Sequence, residues 1–319
     1  MVTKTIDEHR VESEPSVAVV VPLLNEAENL ENLHARLATA LEPFPTSRIL
    51  FVDDGSVDES IVIIKRLASQ NRNVRFISLT RNFGHQIALK TGLQHCDADV
   101  VISMDADLQH LPEAIPDMIN AWKNGYLVVN MIRGKEKTSV LKRLTSKVFY
   151  KLINAVSDFE IVPGSSDFRL LDRKVVELIN ALPERCVFLR GVIPWLGFEQ
   201  CDLTYQLEER QHGERKYNLF KMLQLAATGI TSSSTKPLRV AFVIGAVTSS
   251  VAVLYAGYAF LVKILFDTAI SGWASLLIGM MLLGGVQLLM LGVIGEYVGR
   301  VFLEVKSRPH SIIRESDLD

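Results

Sequence analysis

The chain has 319 residues, and its 34 Lys and Arg nearly balance its 36 Asp and Glu, for a formal net charge of −2. This balance and an isoelectric point near 6.4 argue against a dedicated nucleic-acid-binding protein, which normally carries a basic excess. Three cysteines without a C-x-x-C spacing offer neither a disulfide framework nor a zinc site. The polar start of the chain predicts a disordered tail over 1–15 and no cleavable signal peptide.

Residues 16–237 alternate short apolar runs with segments of helical spacing. The runs predict five strands, at 17–24, 49–52, 74–80, 99–104 and 126–132. Because these runs are apolar on both faces, they are typical of an α/β fold with a doubly wound, mainly parallel sheet covered by helices on both sides. Ligands of such sheets bind at the carboxyl ends of the strands. Polar residues cluster at those ends: Asn25, Glu26, Asp53, Asp54, Arg81, Asn82, Asp105 and Asp107.

Asp105 and Asp107 directly follow the fourth predicted strand. Two carboxylates two residues apart on a turn can face one hard cation, which then binds phosphate oxygens. The same pair could instead cap the helix that begins after Pro112. The turn that starts at Asp53 is likewise open to two interpretations, a helix N-cap turn or a nucleotide-contacting loop.

The histidines show no metal-ligand spacing. We therefore expect surface or packing roles for His34, His85, His95, His110, His212 and His310.

A segment at about 139–156 predicts an amphipathic helix that lies on a membrane. Five basic residues and no acidic one occur between Lys137 and Ser157, beside an apolar stripe. Charge of a single sign next to apolar residues favours contact with anionic headgroups over a solvated surface helix. A second such stretch, at 217–230, leads into the apolar C-terminal part of the chain.

Hydrophobic residues make up 48% of the chain and are concentrated in two apolar stretches, 240–262 and 273–294. Each stretch is long enough as a helix to cross a bilayer. The short connection between them predicts a two-helix transmembrane hairpin over 238–299, followed by a tail over 300–319.

The charges that flank the hairpin predict its orientation. Basic residues lie at its outer ends: Lys236, Arg239, Arg300, Lys306 and Arg308. The connection carries Lys263 balanced by Asp267. By the positive-inside rule, both ends of the hairpin and the preceding domain lie on the cytoplasmic side of the cell (inner) membrane.

Six motifs occur in a characteristic order: VPLLNEAENL, VDDGS, SLTRNFGHQIALKTGL, MDADLQHLPE, GSSDFRLLDR and ERQHGERKYN. In this order they resemble the inverting glycosyltransferases of family 2, which have the GT-A fold. More narrowly, the chain resembles the polyprenyl-phosphate glycosyltransferases, which include dolichyl-phosphate mannosyltransferase-like enzymes and bacterial bactoprenol glucosyltransferases. The resemblance covers roughly residues 16–310, and the hairpin is similar to that of the bacterial glucosyltransferases.

The resemblance implies a set of site residues by motif position. The nucleotide-sugar pocket would be lined by Pro22, Glu26, Asp53, Asp105 and Gln109. Mg²⁺ or Mn²⁺ would be held by Asp107 and Asp105, with Gln109 beside the donor diphosphate. The acceptor phosphate would be bound by Arg133, Arg143 and Ser146. Catalytic roles beside the sugar and the diphosphate would fall to Asp167, Arg210 and Lys216. Arg215 stands where relatives have a small residue, so its own role stays open.

The chemistry of the acceptor adds an expectation about Asp167. A lipid monophosphate is mostly dianionic at pH 7, because its second pKa is about 6, and such a nucleophile needs no strong base. Its difficulty is repulsion from the donor diphosphate, which Arg133 and Arg143 would offset. We therefore expect Asp167 to orient the sugar or an arginine rather than take a proton. In-line displacement would then invert the anomeric centre.

Together these observations predict a membrane enzyme that transfers a hexose, with UDP-glucose as the preferred donor, to undecaprenyl phosphate. Alternatives stay open: another sugar such as mannose or an aminoarabinose derivative, a processive polysaccharide synthase, or a non-catalytic membrane-anchored nucleotide-sugar-binding protein. The Q-x-x-R-W motif of processive synthases does not occur. Glycines recur along the second apolar stretch and permit close helix approach, so we expect a homo-oligomer, a tetramer by resemblance.

Overall fold

The computed structural model describes residues 14–133, 165–184, 189–205, 234–266 and 272–318. Contacts divide the chain into two compact units. The sheet unit comprises Met1–Tyr150, Phe159–Asn218 and Arg308–Asp319, and the hairpin unit comprises Lys151–Asp158 and Leu219–Ser307. The two predicted amphipathic segments, 139–156 and 217–230, lie outside the described residues.

One eight-stranded sheet organises the sheet unit, in the order β7-β5-β6-β4-β1-β2-β3-β8. The strands are β1 (Val17–Leu23), β2 (Ser47–Asp53), β3 (Val74–Leu79), β4 (Val100–Ser103), β5 (Val128–Arg133), β6 (Ser165–Asp172), β7 (Gln200–Tyr205) and β8 (Ile313–Ser316). The central strands β4, β1, β2 and β3 run parallel, as do β5 and β7. Strand β6 is antiparallel to both of its neighbours, and β8 is antiparallel to β3.

Helices cover both faces of this sheet, which confirms the doubly wound α/β prediction. The helices of the sheet unit are α1 (Ala27–Leu41), α2 (Ser60–Gln70), α3 (His85–Gln94), α4 (Ile115–Lys123), α5 (Arg173–Ala181) and α6 (Leu189–Trp195). Helices α1, α2 and α4 contribute to one hydrophobic core, and α3, α5 and α6 contribute to the other. Strand β1 supplies alternate residues to the two cores, which is why its sequence is apolar throughout.

Helix α3 lies unusually close to the centre of the sheet. A Cβ atom at Gly92 would overlap the Cγ1 atom of Val20, so only glycine permits this approach of helix to strand. The helix begins at His85, directly after the loop that follows β3. The close packing therefore fixes the position of the first residues of α3 relative to the strand ends.

All five predicted strands are present as β1 to β5, whereas β6, β7 and β8 were not predicted. Strand β6 contains Asp167 and Arg169 within its length, so it lacks the apolar run that marks the central strands. The four residues of β8 are mostly polar, and they fall in the segment that we treated as a tail.

The segment around β8 attaches the end of the chain to three elements of the sheet unit. The Asp317 carboxylate accepts a hydrogen bond from the Phe76 N–H at 2.6 Å, and Lys65 of α2 pairs with Glu315 at 2.7 Å. On α3, the Thr91 hydroxyl donates to the Ser311 hydroxyl at 2.8 Å, and the His310 ring contacts Gln94 at 2.9 Å. Strand β8 thereby covers the edge of β3 and becomes the short, largely polar edge strand of the sheet.

The hairpin unit contains helices α7 (Lys236–Phe266) and α8 (Trp273–Val305). Among the described residues these two are long and apolar enough to cross a membrane, over Lys236–Val262 and Gly279–Val305. Helix α8 continues past the predicted span, and Glu296 and Arg300 pair within it at 3.0 Å. The Tyr297 hydroxyl donates to the Ser234 carbonyl at 2.6 Å and joins the start of one helix to the last turns of the other.

The contacts of β8 predict different costs for two neighbouring carboxylates. Asp317→Ala should lower the free energy of unfolding of the sheet unit by about 1–2 kcal/mol, because the Phe76 N–H loses its partner. Glu315→Ala should change it by less than about 0.5 kcal/mol, because its pair with Lys65 is exposed to solvent. Thermal unfolding of both variants in detergent checks this, and equal midpoints would contradict the assigned role of Asp317.

Candidate active site

The site is built where β4 and β6 meet. The two strands are antiparallel, and Ser103, the last residue of β4, pairs with Arg169. The same register continued by two residues places Asp105 opposite Asp167. A carboxylate from the turn after β4 and a carboxylate from inside β6 therefore come together. The two residues are 62 positions apart, so the sequence alone does not suggest that they meet.

Asp167 is the most buried ionic group of this site, with 1% of the residue exposed. Arg190 of α6 donates to both of its carboxylate oxygens, from Nε and Nη2, at 2.9 Å each. The Gln86 side chain donates to Oδ2 at 2.9 Å, and the Arg169 guanidinium lies 3.7 Å from Oδ1. Burial alone would raise the pKa of Asp167, but the hydrogen bond with His85 and the charges of Arg190 and Arg169 outweigh it and hold the pKa well below its usual range. Asp167 is thus a fixed anion.

Arg169 is itself buried, so it depends on the charge of Asp167. Its guanidinium also donates to the Ser166 carbonyl at 2.9 Å. Burial lowers the pKa of Arg169 from its ordinary value, and the neighbouring Asp167 carboxylate opposes that shift. The sequence contained a signal for this pair, because residues two apart on a strand share a face.

His85, the first residue of α3, lies between the two carboxylates. Its Nε2 atom is 3.3 Å from Asp105 Oδ1 and 3.3 Å from Asp167 Oδ2, and 42% of its side chain is exposed. Partial burial disfavours the charged ring, but the hydrogen bond to Asp167 and the charges of Asp105 and Asp167 raise the pKa of His85 overall. His85 is therefore exposed at the surface, as expected, and in addition contacts both carboxylates.

His110, by contrast, has the packing role that we expected. It is buried, its ring stacks on Phe168 with 5.0 Å between centroids, and its Nδ1 atom accepts a hydrogen bond from the Asp105 N–H at 3.0 Å. These contacts fix the backbone of the turn that carries Asp105.

The Asp105–Gln109 turn is tight. Leu108 adopts a left-handed conformation with φ +59°, and Asp107 Oδ1 accepts the Gln109 N–H at 3.1 Å. Asp105 Oδ1 is buried and has no hydrogen-bond partner among the described residues, although the His85 ring lies near it. Within those same residues, no group of three or more His, Cys, Asp and Glu side chains is arranged to hold a metal ion.

Asp53, the last residue of β2, and Asp54, the next residue, have different hydrogen-bond partners. Asp53 is 1% exposed, and its carboxylate accepts the Ser56 N–H at 2.9 Å and the Ser78 hydroxyl at 2.8 Å. The segment therefore forms a turn, but it does not cap the helix that follows, because α2 begins at Ser60 with Glu59 at its N-cap and no side-chain cap hydrogen bond. Nucleotide contact stays a prediction. Asp54 accepts the N–H groups of Phe83 and Gly84, both at 2.8 Å, and so holds the loop before α3. Burial raises the pKa of Asp54 against these hydrogen bonds.

The loops after β1 and β2 are joined to each other. The Asn25 N–H donates to the Ser56 hydroxyl at 2.9 Å, and the Asn25 side chain accepts the Val57 N–H at 2.9 Å. The Glu26 N–H donates to the Ser60 hydroxyl at 3.0 Å. Pro22 is buried within β1, a few residues before this junction. Of the predicted nucleotide-sugar residues, the structure therefore places Pro22 and Glu26 at the end of β1 and Asp53 at the end of β2.

The remaining predicted residues divide by where they lie. Arg133 is the last residue of β5, and its backbone pairs with Tyr205 of β7. Arg143, Ser146, Arg210 and Lys216 lie outside the described residues. Sequence reasoning missed Gln86 and Arg190, since neither belongs to a spacing pattern and Arg190 meets Asp167 only through the packing of α6.

Comparisons with known proteins agree with this architecture. The family model described as Glycosyl transferase family 2 matches residues 18–179, and the one described as GtrB C-terminal hairpin matches 236–301. An uncharacterized glycosyltransferase of Synechocystis sp. is 40% identical over 301 residues, covering 94% of this chain and 95% of its own. The bactoprenol glucosyl transferase of Shigella phage SfII is 41% identical over 303 residues, covering 94% of this chain and 98% of its own. A prophage bactoprenol glucosyl transferase homolog of Escherichia coli is 40% identical over 301 residues, covering 93% and 98%.

The buried pairs of Asp167 predict a pH-dependent loss of stability. Asp167→Asn leaves the Arg169 guanidinium without its counter-charge, so the free energy of unfolding should fall by about 3–5 kcal/mol. Because the folded-state pKa of Asp167 is depressed, its stabilisation is complete above about pH 4 and is lost as the pH falls further.

Thermal unfolding of wild type and Asp167→Asn at several pH values measures this difference. Asp202→Asn is the control, since Asp202 accepts one hydrogen bond from Asn130 at an exposed position, at 3.0 Å. A midpoint for Asp167→Asn equal to that of the control at pH 7 would contradict the assigned role.

Proposed function

Because the chain belongs to glycosyl transferase family 2 and is therefore a glycosyltransferase, we propose that it transfers a hexose from UDP-glucose to the phosphate of undecaprenyl phosphate. The observation that carries the proposal is similarity to bactoprenol glucosyl transferases over nearly the full length of both chains, hairpin included. A chain with a GT-A sheet unit and two apolar helices suits an enzyme whose donor is water-soluble and whose acceptor is a lipid.

The mechanism follows from the charges around Asp167. Both oxygens of this carboxylate are occupied by Arg190, so it is a poor nucleophile and a poor base. The acceptor phosphate is already anionic and attacks the anomeric carbon itself. In a single in-line displacement the donor's α linkage is replaced by a β linkage to the lipid. Asp167 then orients Arg190, and with it the groups that surround the sugar.

The phosphate groups of donor and acceptor repel each other as they meet. Arg133, Arg143 and Ser146 are assigned to the acceptor phosphate, and Arg210 and Lys216 to the donor diphosphate. Positive charge on both sides lowers the cost of bringing the two groups together and stabilises the leaving diphosphate. The proposed nucleotide contacts are those of Pro22, Glu26, Asp53 and Gln109.

The donor set of the Asp105–Gln109 turn fits a hard divalent cation. Carboxylate oxygens are the preferred ligands of Mg²⁺ and Mn²⁺, and Asp105 Oδ1 is buried without a hydrogen-bond partner among the described residues. Asp105 and Asp107 would hold the ion, which supplies charge neutralisation to the donor diphosphate when bound. Diphosphate oxygens and water would complete its coordination.

The proposed setting is the cytoplasmic face of the inner membrane. The basic residues outside the apolar stretches favour this orientation, and the nucleotide sugar is available there. We further assign the chain to a homo-oligomer, because glycines recur along α8 and permit close packing of helices from neighbouring protomers.

A transfer assay tests the function directly. Purified protein in nanodiscs is incubated with undecaprenyl phosphate and a panel of radiolabelled nucleotide sugars, and the label in the extracted lipid is counted. UDP-glucose should give the highest rate, and GDP-mannose or a UDP-aminoarabinose derivative should give little. Highest transfer from one of those donors would overturn the sugar assignment, and label in none of the lipid extracts would overturn the acceptor.

The metal assignment yields a prediction of its own. EDTA should abolish transfer, and Mg²⁺ or Mn²⁺ should restore it, because the diphosphate charge needs a divalent ion. Asp107→Asn should lower the rate by about 100-fold or more while the protein stays folded. Asp117→Asn, on an exposed face of α4, is the matched control and should keep full activity. Full activity of Asp107→Asn in the presence of chelator would contradict the assignment.

A further inference from the structure

His85 joins two parts of the site that the chain itself keeps far apart. A single nitrogen, Nε2, is 3.3 Å from a carboxylate oxygen of Asp105 and 3.3 Å from one of Asp167. Asp105 belongs to the turn proposed for the donor diphosphate, and Asp167 belongs to β6, beside the proposed position of the sugar.

The two carboxylates approach the same ring nitrogen. Like charges that both reach one nitrogen repel each other, and a site partly closed to water screens that repulsion poorly. Asp167 has Arg190 and Arg169 to balance its charge. The close cationic or polar contacts of the Asp105 carboxylate among the described residues are with His85, and more distantly with His110 at 3.7 Å. His85 is therefore the group that ties Asp105 to the Asp167 cluster.

The backbone on both sides of His85 is fixed by side chains. Before it, Asp54 accepts the N–H groups of Phe83 and Gly84, and Gly84 has a φ of +106°, which suits glycine. After it, the Gln86 side chain donates to Asp167 at 2.9 Å and accepts the Leu189 N–H at 3.3 Å. The backbone that carries the His85 ring is therefore held close to both carboxylates.

A close approach between loops adds to this support. A Cβ atom at Gly55 would overlap the backbone of Arg81 and Asn82, so the turn after β2 packs directly against the loop that leads to His85. The second aspartate of the VDDGS motif and the glycine that follows it thus have a task in the site. They position the start of α3.

We propose that His85 is a positioning residue of the transfer reaction, whose ring holds the donor-side carboxylate of Asp105 and the sugar-side carboxylate of Asp167 in a fixed relation. The proposal rests on the proposed function, because it assigns the two carboxylates to the donor. His85 acts through these carboxylates and forms no bond to the substrate. Losing this polar contact should disturb donor binding and turnover, and should leave the lipid acceptor site unchanged.

Two substitutions distinguish the effect of the polar contact from the effect of side-chain size. His85→Leu keeps the approximate size of the side chain and removes the polar nitrogen, and His85→Gln keeps a polar side chain of similar reach. Since 42% of the His85 side chain is exposed, both variants should fold with the wild-type unfolding midpoint. His95→Leu, just past the other end of α3, is the matched control, because its exposed ring contacts the Thr91 carbonyl of its own helix at 2.8 Å.

The measurements are calorimetric binding of UDP-glucose with Mn²⁺, and steady-state kinetics with donor and polyprenyl phosphate titrated separately in nanodiscs. For His85→Leu we expect donor affinity and kcat to fall by about 10- to 100-fold, with the KM for polyprenyl phosphate unchanged. His85→Gln should recover both to within about threefold of wild type. His95→Leu should match wild type throughout.

Two results would overturn the inference. One is a His85→Leu enzyme with wild-type donor affinity and kcat. The other is a His85→Gln enzyme as impaired as His85→Leu, since the polar contact with the two carboxylates would then not be what matters. If wild type bound UDP-glucose but transferred no hexose to the lipid, the proposed acceptor would be wrong, and the binding measurements would still decide the role of His85.

Discussion

The burial of one carboxylate, that of Asp167, is the constraint around which the site is arranged. A charge removed from water is tolerated only with close partners, and Asp167 has a forked contact with Arg190, a second arginine at position 169, and a hydrogen bond from Gln86. These partners come from α6, β6 and α3. Because Arg190 and Gln86 must both reach this carboxylate, it fixes the positions of α6 and α3 relative to β6. The antiparallel register of β4 and β6 then brings Asp105 alongside.

Helix α3 contacts the buried carboxylate at one end and the C-terminal segment at the other. At its first turn, His85 and Gln86 contact the buried carboxylate, and in its last turns Thr91 and Gln94 contact the C-terminal segment that includes β8. Between the two ends, Gly92 allows the helix to lie directly against β1. The residues that follow the apolar hairpin are thus attached to the helix whose other end forms part of the site. This attachment gives the end of the chain a structural task in the sheet unit.

Local patterns in the sequence were enough to predict the central strands and the helices between them. Apolar runs predicted β1 to β5, and the helix from His85 to Gln94 follows from its spacing. Strand β6 was missed because Asp167 and Arg169 interrupt its apolar pattern, and their burial makes sense only with Arg190, which lies elsewhere in the chain. The paired carboxylates Asp105 and Asp107 were recognisable from their position after a strand. His85 was not, because a single histidine has no spacing pattern and its contacts arise from the tertiary packing of α3.

The same arginine contacts that hold Asp167 as an anion also determine which mechanism the site supports. A carboxylate whose two oxygens are both engaged by Arg190 is a poor nucleophile, which favours the proposed single displacement at the anomeric carbon over a covalent glycosyl intermediate. The anomeric configuration of the product is the most direct test of this claim. The hexosyl lipid formed from UDP-α-glucose is purified, and its anomeric proton coupling is measured by NMR. The account predicts a β-linked product, whereas an α-linked product would contradict it.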